Sequence, residues 1–135
     1  MCGICGELGF GGRPASRDVA ERMCEALAHR GPDGSGVHCS GPVGLGHRRL
    51  AIIDLTPSGA QPRWSADRRR CIVFNGEIYN FRELRAELEA AGHHFTSQSD
   101  TEVVIEGIEH WGLDAALSRL IGMFSFGLWD EVDRS

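Results

Sequence analysis

A cysteine at position 2 becomes the first residue of the chain once an initiator methionine is clipped, and its thiol then shares a residue with a free α-amine. Such an amine is partly unprotonated at neutral pH and can take the thiol's proton directly, so Met1-Cys2-Gly3-Ile4-Cys5-Gly6 has the parts of an N-terminal nucleophile. The same cysteine also fits as a small apolar residue at the head of a buried strand. A third reading takes Cys2 and Cys5 together as a redox pair or half a zinc site. It is the weakest of the three. A redox pair of that spacing follows a strand and opens a helix, and no strand precedes this one. Cys24, Cys39 and Cys71 stand singly, and the six scattered histidines, His93 and His94 adjacent among them, show no ligand spacing.

Three other places carry residue types that a reaction at a nucleophile needs. Asn75-Gly76 is a hairpin-turn dipeptide, and it is also an amide side chain next to an unencumbered backbone N–H, a pair suited to an oxyanion hole. Arg49 stands beside the apolar run Leu50-Ala51-Ile52-Ile53, either as a surface charge or as a planar fork for a carboxylate. Asp100 precedes a helical pattern and serves as its cap, with an oxygen left over for an ammonium group.

Composition sets the frame for these residues. The chain of 135 residues, 41% apolar and 24% charged, is one domain or part of one with a real core. A net charge of −5 argues against a nucleic acid or an anionic membrane as partner. All fourteen basic residues are arginine, a compositional bias to which no function is assigned. No apolar run reaches the length of a membrane span and no signal-peptide pattern is present, so the expected location is the cytoplasm and the five cysteines are expected to be reduced.

The elements that must position the candidates follow from pattern. Cys2–Gly9 reads as a short strand. Ser16 caps a helix running to about Ala28, with Val19, Met23, Ala26 and Leu27 on one side. His29-Arg30-Gly31-Pro32-Asp33-Gly34 is a structured loop. Short strands are predicted at about 36–39, 43–47 and 49–53, then a loop from Thr56 to Arg70 in which Arg68-Arg69-Arg70 form a solvated turn. Cys71–Phe74 is a β-branched strand delivering Asn75-Gly76-Glu77-Ile78-Tyr79-Asn80. Asn80 and Glu83 form a capping-box-like start for a helix with Phe81, Leu84 and Leu88 inward, closed by Gly92. His93–Thr96 is a further short strand, and a second helix starts at Ser99-Asp100-Thr101-Glu102 with Val104, Ile105, Ile108 and Trp111 inward. A short helix covers Leu113–Leu120, and Met123–Trp129 is an alternating strand with Phe124, Phe126 and Leu128 on one face. The count is some seven short strands plus three helices, besides the short one, an α+β pattern of antiparallel sheets.

Taken together, Met1-Cys2-Gly3-Ile4, His29-Arg30-Gly31-Pro32-Asp33, His47-Arg48-Arg49-Leu50-Ala51-Ile52, Asn75-Gly76-Glu77-Ile78-Tyr79-Asn80 and Ser99-Asp100-Thr101-Glu102 resemble the glutaminase domain of glutamine-hydrolysing asparagine synthetases, within the class II glutamine amidotransferases. The resemblance implies a four-layer αββα sandwich of antiparallel sheets, N-terminal nucleophile hydrolase-like, and hydrolysis of L-glutamine to glutamate and ammonia. It implies Cys2 as nucleophile, the Asn75 amide and Gly76 N–H as oxyanion donors, Arg49 on the substrate's α-carboxylate and Asp100 on its α-ammonium. Glu77 and the backbone of Ile52 and Ile53 complete the implied pocket. Arg48, on the other face of its strand, is the worse carboxylate partner.

The expected organisation is the N-terminal part of such a domain, incomplete at its C-terminus, with ATP and Mg used only by a synthetase domain outside this chain and no cofactor in this one. Expected partners are L-glutamine, that synthetase domain and a possible homodimer. A retained Met1 would acylate the proposed base. The competing expectation is a catalytically silent domain with a structural or partner-binding role.

Overall fold

The computed structural model describes all 135 residues, as two three-stranded antiparallel sheets and four α-helices. The first sheet holds β1 (Gly3–Leu8), β2 (Gly34–Ser40) and β3 (Val43–Arg49), with β3 in the middle and Ile4 paired to His47. The second holds β4 (Arg63–Trp64), β5 (Arg70–Ile78) and β6 (Gly122–Asp130), with β5 in the middle and Gly76 paired to Phe124. Helix α1 (Arg17–Ala26) lies on the outer face of the first sheet. On the outer face of the second lies α3 (Asp100–Trp111), flanked by α2 (Phe81–Ala90) and α4 (Leu113–Arg119). The layers are therefore α, β, β, α, as the resemblance implies.

Strand alternation builds both cores from one strand. The even side chains of β5, Ile72, Phe74 and Ile78, face the helices and join Leu84, Leu88, Val103, Val104, Ile105 and Ile108 in the larger cluster. The odd ones, Cys71 and Val73, face the first sheet and pack with Val43, Leu45 and Trp129. Phe124, Phe126 and Leu128 of β6 line the helix side as their alternation predicts. Helix α3 is buried on every side from Asp100 to Ile108, because sheet, α2 and α4 enclose it.

Several local expectations give way to tertiary context. No separate strand covers 49–53: β3 runs through Arg49 and the chain bends over Ile52-Ile53, freed from the ladder. Positions 93–96 form no strand, because Thr96 and Ser97 give their N–H groups to Glu102 instead. Asn75-Gly76 is no turn; both residues lie inside β5, paired with Ser125 and Phe124. Asn80 precedes α2 without capping it by its side chain, which holds Arg119 O and Ile121 N. Ser99, not Asp100, caps α3, accepting from Glu102 N at 3.2 Å. The inward face of α1 is Ala20 and Cys24, one position on from the stripe read in the sequence. The arginine triplet is no free turn: Arg69 grips Asp130 and Asp133, Arg70 pairs with Glu109 and Asp130, and Arg68 lies over Trp64. Six strands replace the expected seven, the four helices are the three long ones and the short one expected, and β4 emerges within the Thr56–Arg70 loop.

Candidate active site

The inner ends of the two sheets enclose a cavity of about 210 Å³. Cys2, Arg49, Ile52, Ile53, Gly76, Glu77 and Asp100 all line it, having come from four separate stretches of the chain. Cys2 sits just ahead of β1, where its thiol accepts from Leu50 N–H at 3.3 Å and lies 3.6 Å from Leu50 O. Its carbonyl accepts from Arg30 Nε at 3.0 Å. The His-Arg-Gly-Pro-Asp loop thus ties down the nucleophile candidate on one side. On the other, Asp33 Oδ2 accepts from Ala51 N–H at 2.9 Å and fixes the bend that carries Leu50. Cys5 points away, toward α1, with its sulfur 3.6 Å from Cys24 Sγ and its thiol pushed up by burial to about 12. Cys2 and Cys5 therefore form neither a redox pair nor half of a metal site, and no cluster of three metal-ligating side chains exists.

Arg49 is held before any ligand arrives. Its Nη1 donates to Thr56 O at 2.8 Å and its Nη2 to Asp54 O, so the fork is fixed by two loop carbonyls without losing its charge to an acid. Asp54 holds that loop in turn. The Thr56 hydroxyl, at 2.6 Å, and the N–H groups of Gln98 and Thr56 keep its carboxyl at about 2, well below the ordinary range. Arg48 projects to the other face and donates to Gly31 O at 3.1 Å, away from the cavity.

The N–H groups along one edge of β5 supply the rest. In an antiparallel strand alternate residues present N–H and C=O to the same neighbour. Ile72 faces β4, so Phe74, Gly76 and Ile78 point to that edge too, beyond where the two-residue β4 stops. Phe74 N–H goes to Gln61 Oε1 at 2.6 Å and Ile78 N–H to Asp100 Oδ2 at 3.0 Å. Gly76 lies between them on the exposed rim, and no side chain or loop carbonyl accepts its N–H. A Cβ there would stand 2.4 Å from Met123 O and 2.5 Å from Phe124 Cα, so only glycine fits. Asn75 belongs to the opposite alternation and does not line the cavity wall; its Oδ1 is buried between the sheets without a partner.

Asp100 is 6% exposed and has no cationic side chain beside it. Burial raises its pKa, the Glu77 charge adds to that, and the bond from Ile78 N–H only partly offsets them. The cavity wall thus carries one positive fork and a buried carboxylate with no counter-charge. It is shaped for a small molecule bearing a carboxylate at one place and an ammonium at another.

Three residues of the site escape sequence reasoning. Gln61 also donates from Nε2 to Thr101 Oγ1 at 3.1 Å; only its place before Pro62 marks it in the sequence. His47, 1% exposed on the inner face of β3, has its ring held neutral by burial, with a pKa near 4. Its alternation with Leu45 in a predicted strand was the available signal. Asp54 reads as the end of an apolar run and has none.

A family model described as glutamine amidotransferase domain matches residues 1–135. Asparagine synthetase [glutamine-hydrolyzing] 1 of Bacillus subtilis is 43% identical over 138 residues, covering 98% of this chain and 21% of that protein. The maize protein named asparagine synthetase [glutamine-hydrolyzing] is 44% identical over 136 residues, covering all of this chain and 22% of that one. The chain thus spans about a fifth of the length of the curated relatives it matches. Among solved structures, glutamine phosphoribosylpyrophosphate amidotransferase from B. subtilis, complexed with ADP and GMP, superposes with a TM-score of 0.76 at 24% identity over 94% of this chain and 35% of that one. A structure described as the allosteric regulatory enzyme of purine biosynthesis gives 0.78 at 22% identity, over 95% and 35%. These two likenesses bear on the fold.

Proposed function

The chain belongs to the glutamine amidotransferase domain family, and from that premise we propose that its cavity hydrolyses L-glutamine to glutamate and ammonia with Cys2 as nucleophile. The observation that carries this reading is the convergence of the Cys2 thiol, the unclaimed Gly76 N–H, the tethered Arg49 fork and the uncompensated Asp100 carboxylate on one cavity. Glutamine is a zwitterion with an amide at the far end. Arg49 takes its α-carboxylate and Asp100 its α-ammonium, which fixes the molecule at two points and directs the amide toward the thiol. The backbone of Ile52 and Ile53, together with Glu77, closes the pocket around it.

With Met1 removed, the α-amine of Cys2 accepts the thiol proton as sulfur bonds to the amide carbon. The carbonyl oxygen gains the displaced electron pair, and Gly76 N–H receives that charge; the Asn75 amide, expected from the sequence as a second donor, lies off the cavity wall. Collapse of the tetrahedral species breaks the C–N bond, and the protonated amine gives its proton to the leaving nitrogen, which departs as ammonia. Water then adds to the thioester with the amine as base, and glutamate leaves as the thiol is restored. The ammonia feeds an ATP-dependent amidation in a synthetase domain of the kind that the asparagine synthetase relatives are named for.

A glutamine analogue with a ketone electrophile in place of its side-chain amide tests the reading. A chain beginning at Cys2 is expected to take one adduct, on Cys2, and to release ammonia from glutamine. Arg49→Met is expected to lower the labelling rate about 100-fold, because two-point orientation is lost. A processed, folded chain that neither labels nor releases ammonia overturns the proposal in favour of a silent domain.

A further inference from the structure

The Gln61 side chain hydrogen-bonds to both the proposed oxyanion strand and the helix that carries Asp100. Its Oε1 accepts from Phe74 N–H at 2.6 Å, one residue before Asn75, and its Nε2 donates to Thr101 Oγ1 at 3.1 Å, one residue after Asp100. The β4–β5 register pairs Arg63 with Ile72 and Trp64 with Cys71, so extending it by two residues sets Gln61 opposite Phe74. The ladder nevertheless stops at Arg63. A side-chain amide makes the rung where backbone would otherwise continue the sheet.

The substitution has a consequence for the edge. A continued β4 would cover Gly76 N–H with the next carbonyl, whereas an amide side chain satisfies Phe74 and ends there. The Gln61 backbone is itself pinned from the first sheet: a Cβ on Gly36 would come within 2.1 Å of Gln61 O. With its main chain against β2 and its amide on β5 and α3, Gln61 spans three elements at the floor of the cavity. An amide suits the place because it offers an acceptor at one end and a donor at the other, and adds no charge beside Glu77 and Asp100.

We propose that Gln61 is a positioning residue for the reaction, holding the Gly76 N–H open on one arm and Asp100 in register with it on the other. The inference rests on the glutaminase reading. It separates what each arm controls: the Phe74 arm acts on transition-state charge and so on kcat, the Thr101 arm on the bound ammonium and so on KM.

The test is steady-state glutamine hydrolysis by the protein carrying this domain, Met1 removed, in wild type and three variants, with Tm measured alongside. Gln61→Met, which loses both arms, is expected to lower kcat/KM about 100-fold through kcat and KM together. Thr101→Val, which loses only the helix arm, is expected to raise KM about fivefold and leave kcat within about twofold. Gln61→Glu keeps the acceptor for Phe74 N–H, and is expected to recover kcat relative to Gln61→Met while KM stays raised because the donor to Thr101 is lost. Gln61→Met with wild-type kcat and KM but a lower Tm overturns the inference and leaves Gln61 a brace of the fold alone. If Gln61→Met does not fold, Thr101→Val decides: an unchanged KM overturns the inference. An inactive wild type overturns the glutaminase reading itself, and this inference with it.

Discussion

Asp100 shows what a single residue gives up for a site. Its carboxylate is buried, receives an N–H from Ile78 and faces no cation, so its pKa lies above the ordinary value. A raised carboxylate pKa means that the native state binds the proton more tightly than the unfolded chain does. Its contribution to stability is present below the ordinary carboxylate value and is lost as pH rises through the native one. Ionised Asp100 therefore destabilises the protein at neutral pH. Asp100→Asn keeps an acceptor for Ile78 N–H and removes the charge, so it is expected to raise Tm by a few degrees at pH about 7, with the gain fading toward pH about 3. The same variant is expected to lose Cys2 labelling by the glutamine analogue. Thermal melts at the two pH values, read beside the labelling, check both halves; a variant less stable than wild type at neutral pH refutes the account. At this scale the sequence was informative wherever a residue stood in a motif, as with Cys2, Arg49, Gly76 and Asp100. It was silent on Gln61, whose partners Phe74 N–H and the Thr101 hydroxyl are 13 and 40 residues away, and on Asp54, whose bonds to Thr56, Ser58 and the distant Gln98 N–H no pattern announces.

Among the elements, the loop from His29 to Asp33 determines where Cys2 sits. Arg30 holds Cys2 O, Asp33 holds Ala51 N–H, and Gly31 lets the loop lie directly on β3. A Cβ at Gly31 would stand 2.4 Å from both Arg48 C and O and 2.6 Å from Arg49 N, all main-chain atoms that cannot move aside. Gly31→Ala is expected to destabilise the domain by about 1–3 kcal/mol, the usual range for overpacking. It is also expected to slow Cys2 labelling, since Cys2 and Arg49 both shift; urea unfolding and labelling kinetics measure the two effects. Helix positions were legible here, because α1, α2 and α3 carry caps or apolar stripes strong enough to survive their context. Strand limits were less so. Asn75-Gly76 has turn chemistry, yet β6 pairs with it throughout. His93–Thr96 has the look of a strand until Glu102 claims the N–H groups of Thr96 and Ser97. Both outcomes depend on partners 5 or more residues away, which propensity does not register.

For the whole molecule, the contact between the two sheets makes the fold acid-sensitive. His47 lies on the inner face of β3 with Nε2 unpartnered, and burial brings its pKa from 6.5 to about 4, the Arg49 charge adding to the effect. A lowered histidine pKa means that the unfolded chain takes the proton first. The stabilising contribution is fully present above pH 6.5 and is lost as pH falls from there through about 4. Across that window the loss is on the order of 3 kcal/mol. His47→Gln, which cannot charge, is expected to flatten the stability profile between those pH values; urea midpoints that fall equally in both proteins refute the assignment. The four-layer arrangement was legible in the sequence through the resemblance. The distribution of one strand's side chains between two cores followed from the alternation of β5 once its partners were known.

The Gly76 N–H, left uncovered because β4 is two residues long, also bears on how such a site is altered by genetic change. The donor is main chain, so among codon replacements at position 76 only proline deletes it; any other side chain distorts the strand but leaves the N–H in being. A change of chain length silences it as well. A residue inserted or deleted between Thr56 and Arg63 would slide β4 along its neighbour and either roof the donor with a carbonyl or strip Phe74 of its acceptor. The thiol and the two charges are open to loss by almost any substitution, whereas the Gly76 N–H is open to loss by proline alone or by frame-preserving indels in a loop that holds none of the proposed reacting groups.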